Sequence, residues 1–123
     1  MRIGIDIVSV SRIAHSLSVS AKFASRVFAP GEREHAGEMP ECRANAFLAG
    51  RFAVKEAVLK ALHASLDDGI ALCDIETTTA EDGCPELRLS ASALCASELL
   101  NISQWQVSIS HENDLAIAFV LGD

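Results

Sequence analysis

From Glu41 to about His63 the chain has good helix formers, no proline and no cluster of breakers, which predicts one long helix. Gly50 is its single weak point, at a cost of about 1 kcal/mol against alanine. At 100° per residue, Phe47, Val54, Val58 and Ala61 form one broad apolar face. Leu48, Phe52, Leu59 and Leu62 extend it most of the way round. A helix apolar on nearly all sides is buried on most of them, so the rest of the chain has to be wrapped around this one. Yet its second half, RFAVKEAVLKAL, carries Arg51, Lys55, Glu56 and Lys60. Burying a charge is costly unless it is paired, hydrogen-bonded or bound to a metal. These side chains either reach the surface or serve a purpose inside.

The wrapping elements are short. RIGIDIVSV reads as a strand by its β-branched content. Ile3, Ile5 and Ile7 fall on one face, and Gly4, Asp6 and Val8 on the other. SRIAHSLSVSAKFASRVF predicts one or two short helices, interrupted by Ala29-Pro30-Gly31. Residues 31–35 begin a further helical turn that Met39-Pro40 breaks. LDDGIA is a turn. DIETTTA and ELRLS are strands joined through the Asp-Gly turn in EDGCPE, hence a hairpin. SASALCASELLNI is an amphipathic helix with Ser90 or Ser92 as cap, and WQVSISH and LAIAFVL are strands around ENDL. The order β-helices-β-β-α-β-β predicts an α+β fold, with a largely antiparallel sheet packed on the long buried helix. A length of 123 residues suits a single domain, 1–123.

Composition narrows the function. The net charge of −7 and pI near 5.0 exclude general nucleic-acid binding. Five Phe, one Trp and no Tyr make base stacking a poor main activity. Nine of the ten basic residues lie in the first sixty positions, Arg88 being the exception. A basic face on an acidic protein suits an anionic ligand or an acidic partner. Half the residues are hydrophobic and the mean hydropathy is +0.26, which predicts apolar surface covered by another subunit. The four cysteines form no C-x-x-C pair and no zinc spacing. They are expected to be reduced, buried fillers. With no secretory signal and no bilayer-length apolar run, the expected location is the cytoplasm.

Three places can carry chemistry. Asp6 sits among Ile5, Ile7 and Val8, where aspartate is disfavoured. It is either an edge-strand acid facing water or a carboxylate with a cation, metal or backbone donors for partners. Glu56 and Lys60 lie four apart and share an edge of the helix. They make either an ordinary i,i+4 salt bridge or a metal carboxylate beside a phosphate-binding ammonium. Mg²⁺ is typically held by one or two carboxylates plus substrate phosphates, and Asp6 and Glu56 can supply that pair. His111 closes VSISHEND with Ser108 and Ser110 nearby, a setting for phosphate binding or proton transfer or for an ordinary surface histidine. His15, His35 and His63 show no such constellation.

GIDIV, FLAGRFAVKEAVLKAL and VSISHENDLAIAFV, in this order and spacing, together resemble the holo-[acyl-carrier-protein] synthases, the small trimeric 4′-phosphopantetheinyl transferases. RVFAPGERE matches that family's Arg-x-Phe/Leu-Thr-x-x-Glu stretch more loosely. The resemblance spans nearly the whole chain. It implies the 4′-phosphopantetheinyl transferase fold and transfer of the phosphopantetheine arm of coenzyme A to a serine of an apo acyl carrier protein. It also implies Mg²⁺ on Asp6 and Glu56. Asp6, Glu56 and Lys60 would then be catalytic, with Lys60 contacting phosphate and Glu56, directly or through water, the candidate base. Arg43, Phe47, Arg51, Phe52 and His111 match coenzyme A-site positions. Arg12, Lys22 and Arg26 fall where the family meets its acidic carrier. The family forms homotrimers with sites between subunits.

One stretch departs from the family. His63-Ala64-Ser65-Leu66-Asp67-Asp68-Gly69 stands where a Gly-Thr-Gly is usual, and Glu112 stands where a hydroxyl is common. That departure leaves room for a non-catalytic coenzyme A- or carrier-binding module on the same fold. An unrelated Mg²⁺-dependent phosphohydrolase is the weaker alternative, because no Gly-rich phosphate loop is present. The carrier served, whether of fatty-acid, polyketide or nonribosomal type, is open.

Overall fold

The computed structural model describes residues 1–123. Its axis is α4, Glu41–Leu62, in which Ala49, Ala53, Val54, Ala57, Val58 and Ala61 are fully enclosed. The alanines on this helix let a strand come very close. At Gly4 of β1 (Arg2–Ser9), an added Cβ would lie 1.9 Å from the carbonyl oxygen of Ala57, so only glycine fits there.

β1 pairs antiparallel with β5 (Leu115–Gly122), which pairs antiparallel with β4 (Trp105–Glu112), giving the sheet order β1-β5-β4. The period-2 alternation of strands gives the sheet two apolar faces. Gly4, Val8, Ala116, Ala118 and Val120 are buried against α4. On the opposite face Ile3, Ile5 and Ile7 are 61%, 58% and 57% exposed, beside the partly exposed Leu115 and Phe119. β2 (Ile75–Thr79) and β3 (Pro85–Leu89) form the expected hairpin. α5 is Ala91–Leu99.

The segment between β1 and α4 forms three helices. α1 (Val10–Val19) and α2 (Ala21–Val27) divide at Ser20, whose backbone is extended. α3 runs over Pro30–Gly37, longer than the expected turn at 31–35 because proline is well suited to the first helical position.

α3 also explains the most deeply buried charge. Lys55 and Glu32 are both fully enclosed and pair at 2.7 Å. Glu32 also accepts the N–H groups of Ala29 (2.9 Å) and Thr77 (3.0 Å). Lys55 donates further to the carbonyls of Leu72 (3.1 Å) and Ile75. Each charge thus has the partners that burial demands.

The cysteines correct an expectation. Cys42, Cys84 and Cys95 are exposed and Cys73 is partly so; all are free thiols and none is a core filler. The three exposed ones occupy the start of α4, the hairpin loop and the outer side of α5, where the core does not reach, and Cys73 lies in the short helical turn before β2. No helix is long and apolar enough to cross a membrane.

Candidate active site

Asp6 lies on an edge strand, as one alternative had it, but alternation turns it inward toward α4 rather than into solvent. Its side chain is only 16% exposed. Lys60 donates to Asp6 Oδ1 at 3.0 Å and to the Ile5 carbonyl at 2.9 Å. The ammonium therefore bridges helix to strand, and the simple i,i+4 bridge to Glu56 is not the pair that forms.

Glu56 is half-buried, one turn before Lys60. Its carboxyl is pushed above the usual range, first by burial and then by the charge of Asp6; Lys60 and Arg12 oppose the shift. A carboxyl whose ionisation a neighbouring carboxylate opposes is suited to a cation. No third His, Cys, Asp or Glu joins them. An ion held there would complete its shell with water and phosphate oxygens, the habit of Mg²⁺. The residues fit that ion.

A second cluster lies along α4 toward its start. Phe47, Arg51, His35, His111, Gly83 and Pro85 line one cavity. The Arg51 guanidinium lies 4.0 Å from the Phe47 ring centroid and donates through Nη2 to Thr79 Oγ1 at 3.1 Å. Its Nε is buried without a partner. Burial lowers the Arg51 pKa, and Glu32 offsets part of that. His111 Nε2 is 2.9 Å from the carbonyl oxygen of Ala46. Arg51 and Lys60 are nine residues apart, about 13 Å of helix. At 100° per residue that spacing also turns Arg51 to the opposite side of α4 from Lys60, and the cavities at the two clusters share no residue, so one chain presents two half-sites rather than one continuous groove.

The remaining candidates separate. Phe52 packs against Phe23 of α2, with ring centroids 6.4 Å apart, and does not line the cavity. Arg43 is exposed one turn before Phe47, on the same side of α4. Ser108 and Ser110 face the outer side of the sheet, opposite His111, because strand neighbours alternate. Arg12, Lys22 and Arg26 are all exposed on α1 and α2, near Val19, which is 66% exposed. Arg12 also lies close enough to Glu56 to act on its ionisation.

Two features were missed. His35 lies in the cavity with its ring 4.7 Å from that of Phe47. Only the packing of α3 on α4 brings it there, and no local pattern signals it. Asp114, in the β4–β5 turn, accepts the hydroxyls of Ser9 (2.8 Å) and Ser11 (2.7 Å) and the Ser11 N–H (3.0 Å). Those bonds lower its pKa and fix the start of α1, from which Arg12 projects.

The chain matches the 4′-phosphopantetheinyl transferase superfamily over residues 2–120. It is 40% identical over 120 residues to the holo-[acyl-carrier-protein] synthase of Desulfovibrio desulfuricans, covering 97% of this chain and 94% of that one. To the protein of the same name from Geobacillus kaustophilus it is 41% identical over 119 residues, covering 97% and 85%. Among solved structures, the Helicobacter pylori holo-[acyl-carrier-protein] synthase in complex with coenzyme A is similar with a TM-score of 0.83 and 32% identity, over 98% of this chain and 99% of that one. The Bacillus anthracis protein in complex with CoA (3′,5′-ADP) is similar with a TM-score of 0.82 and 33% identity, over 98% and 94%.

Proposed function

The chain belongs to the 4′-phosphopantetheinyl transferase superfamily, and from that premise we propose that it is a holo-[acyl-carrier-protein] synthase. It transfers the 4′-phosphopantetheine arm of coenzyme A to a serine of an apo acyl carrier protein. The serine oxygen bonds to the β-phosphorus, the bond from that phosphorus to the bridging oxygen breaks, and 3′,5′-ADP leaves. The observation that carries this reading is the pair of half-sites on opposite sides of α4, with Asp6, Glu56 and Lys60 in one and Arg51, Phe47 and His111 in the other, which neighbouring copies in a trimer would bring together. Relatives of the same fold have been solved with coenzyme A.

Asp6 and Glu56 would hold Mg²⁺, which supplies charge neutralisation at the transferring phosphate. Lys60 fixes Asp6 and places a positive charge beside the same phosphate. Glu56, directly or through a water, is the candidate base for the serine proton. Arg51, with an unpartnered buried Nε, takes the nucleotide end together with Phe47, Arg43 and His111. Phe52 packs on Phe23 of α2 instead and has no contact with that end in this chain.

The carrier meets Arg12, Lys22 and Arg26, where opposite charge raises the encounter rate. The exposed face of Ile3, Ile5, Ile7 and Phe119 is the contact between copies in a homotrimer. Ile5 turns its side chain to that face and its carbonyl to Lys60, so the site borders the neighbouring copy. Four free thiols suit the reducing cytoplasm.

The test is the intact mass of an apo acyl carrier protein after incubation with coenzyme A, Mg²⁺ and this protein, beside Glu56→Gln. A gain of one phosphopantetheine with the wild type, absent with the variant, is expected. Coenzyme A binding without any mass gain would turn the reading to a non-catalytic module.

A further inference from the structure

Gly50 is an anomaly in α4, since an interior glycine weakens a helix relative to alanine. Its backbone gives no reason for it: the glycines with positive φ are Gly69 and Gly83, not Gly50. The reason is across the interface with β4. A Cβ at position 50 would lie 3.1 Å from His111 Nε2, 3.2 Å from its Cε1 and 3.1 Å from Ile109 Cγ2. The same Nε2 is 2.9 Å from the carbonyl oxygen of Ala46, one helical turn before Gly50.

A carbonyl oxygen only accepts, so Nε2 carries the hydrogen and donates it. That leaves Nδ1 as the free nitrogen, an acceptor when the ring is neutral and a donor when it is protonated. The Ala46 oxygen has two lone pairs. One serves the helix, and the notch left by the missing side chain of Gly50 opens the other to the imidazole. Filling the notch pushes the ring outward and stretches the bond that sets its orientation.

We infer that Gly50 is a positioning residue for His111: it leaves the space in which the ring docks on Ala46 and presents Nδ1 to the nucleotide end of the site. This rests on placing His111 in the coenzyme A site, and the experiment separates the two claims. Binding of 3′,5′-ADP and the KM for coenzyme A are measured for wild type, Gly50→Ala, His111→Ala and the double variant. Gly50→Ala should weaken 3′,5′-ADP binding and raise that KM roughly three- to tenfold, the value of one hydrogen bond. kcat at saturating coenzyme A should stay near wild type. In the His111→Ala background the alanine at 50 should change nothing further.

Additive losses in the double variant would overturn the positioning role. So would recovery of wild-type binding in Gly50→Ala/Ile109→Ala, which would put the pressure through Ile109. Unchanged binding in His111→Ala alone would remove His111 from the coenzyme A site and the inference with it. The imidazole nitrogen shifts of the wild-type protein give an independent check by NMR: the Nε2–H tautomer is expected, and the Nδ1–H tautomer overturns the inference.

Discussion

Lys55 and Glu32 face each other at 2.7 Å with neither side chain exposed. Burial pulls the Lys55 ammonium pKa down, and the Glu32 charge offsets part of that. Removing one member of such a pair leaves the other uncompensated, at a cost of about 3–5 kcal/mol. Glu32→Ala should reach that range in urea unfolding, because it also strips acceptors from the N–H groups of Ala29 and Thr77. Lys55→Met should cost less, since Glu32 keeps those two donors. No loss in either variant would show that the pair does not pin α3 to the hairpin.

Glu56 sets function against stability. Its folded-state pKa is raised, by burial first and then by Asp6. A raised pKa contributes stability that is fully present below the unfolded pKa and is lost as pH rises through the folded one. At neutral pH the metal-free protein therefore carries an unfavourable charge that Glu56→Gln removes. The variant should melt higher than wild type near pH 7, lose that advantage below the ordinary carboxylate range, and lose phosphopantetheine transfer. Mg²⁺ should raise the Tm of the wild type and raise that of the variant much less. A lower Tm for the variant at pH 7 without metal would contradict this.

The long helix, the hairpin and the closing strands were legible because each rests on local periodicity or turn chemistry. Asp6, Glu56 and Lys60 were legible as charges where apolar residues would pack better. Their pairing was not, because Lys60 had a helical neighbour in Glu56 and an invisible one 54 positions away in Asp6. Glu32 was opaque for the same reason: in sequence it is one acid in a polar turn, and only folding carries it to Lys55. Ser108 and Ser110 could have been parted from His111 by strand alternation alone.

His63 ends α4 in the left-handed region, at φ 54°, while its N–H caps the carbonyls of Leu59 and Lys60. A side chain in that region costs energy that glycine avoids, although histidine is among the residues found there more often than most. His63→Gly should stabilise the protein by about 1 kcal/mol, read as a higher urea midpoint. The neighbouring turn should persist, since Asp68 accepts the Ser65 N–H at 2.7 Å independently of residue 63. A lower midpoint would mean that the histidine side chain makes up for its backbone.

Ile5 tests the outer face of the sheet. Its side chain is 58% exposed and its carbonyl accepts from Lys60. Ile5→Arg places a charge in the apolar face without altering the groups that hold Lys60. Sedimentation velocity should show a trimer for the wild type and a smaller species for the variant, with transfer activity falling in parallel. An unchanged sedimentation coefficient would exclude this face as the contact between copies.

Arg12 stands between two roles. It is exposed at the start of α1, which Asp114 fixes, and it is near enough to Glu56 to lower that carboxyl's pKa. Lys22 and Arg26 are exposed on α2 without that second connection. Reversal of a charge at a docking rim lowers the encounter rate and weakens its dependence on salt. Both Arg12→Glu and Lys22→Glu should therefore reduce kcat/KM for the carrier at low ionic strength while leaving coenzyme A binding intact. Arg12→Glu alone should also shift the acid limb of the pH profile upward, because Glu56 loses a cation and gains an anion nearby. If Arg12→Glu weakens coenzyme A binding, its place is in the phosphate site rather than on the carrier face. If Lys22→Glu leaves carrier turnover unchanged at every salt concentration, the carrier approaches by a route that avoids α2.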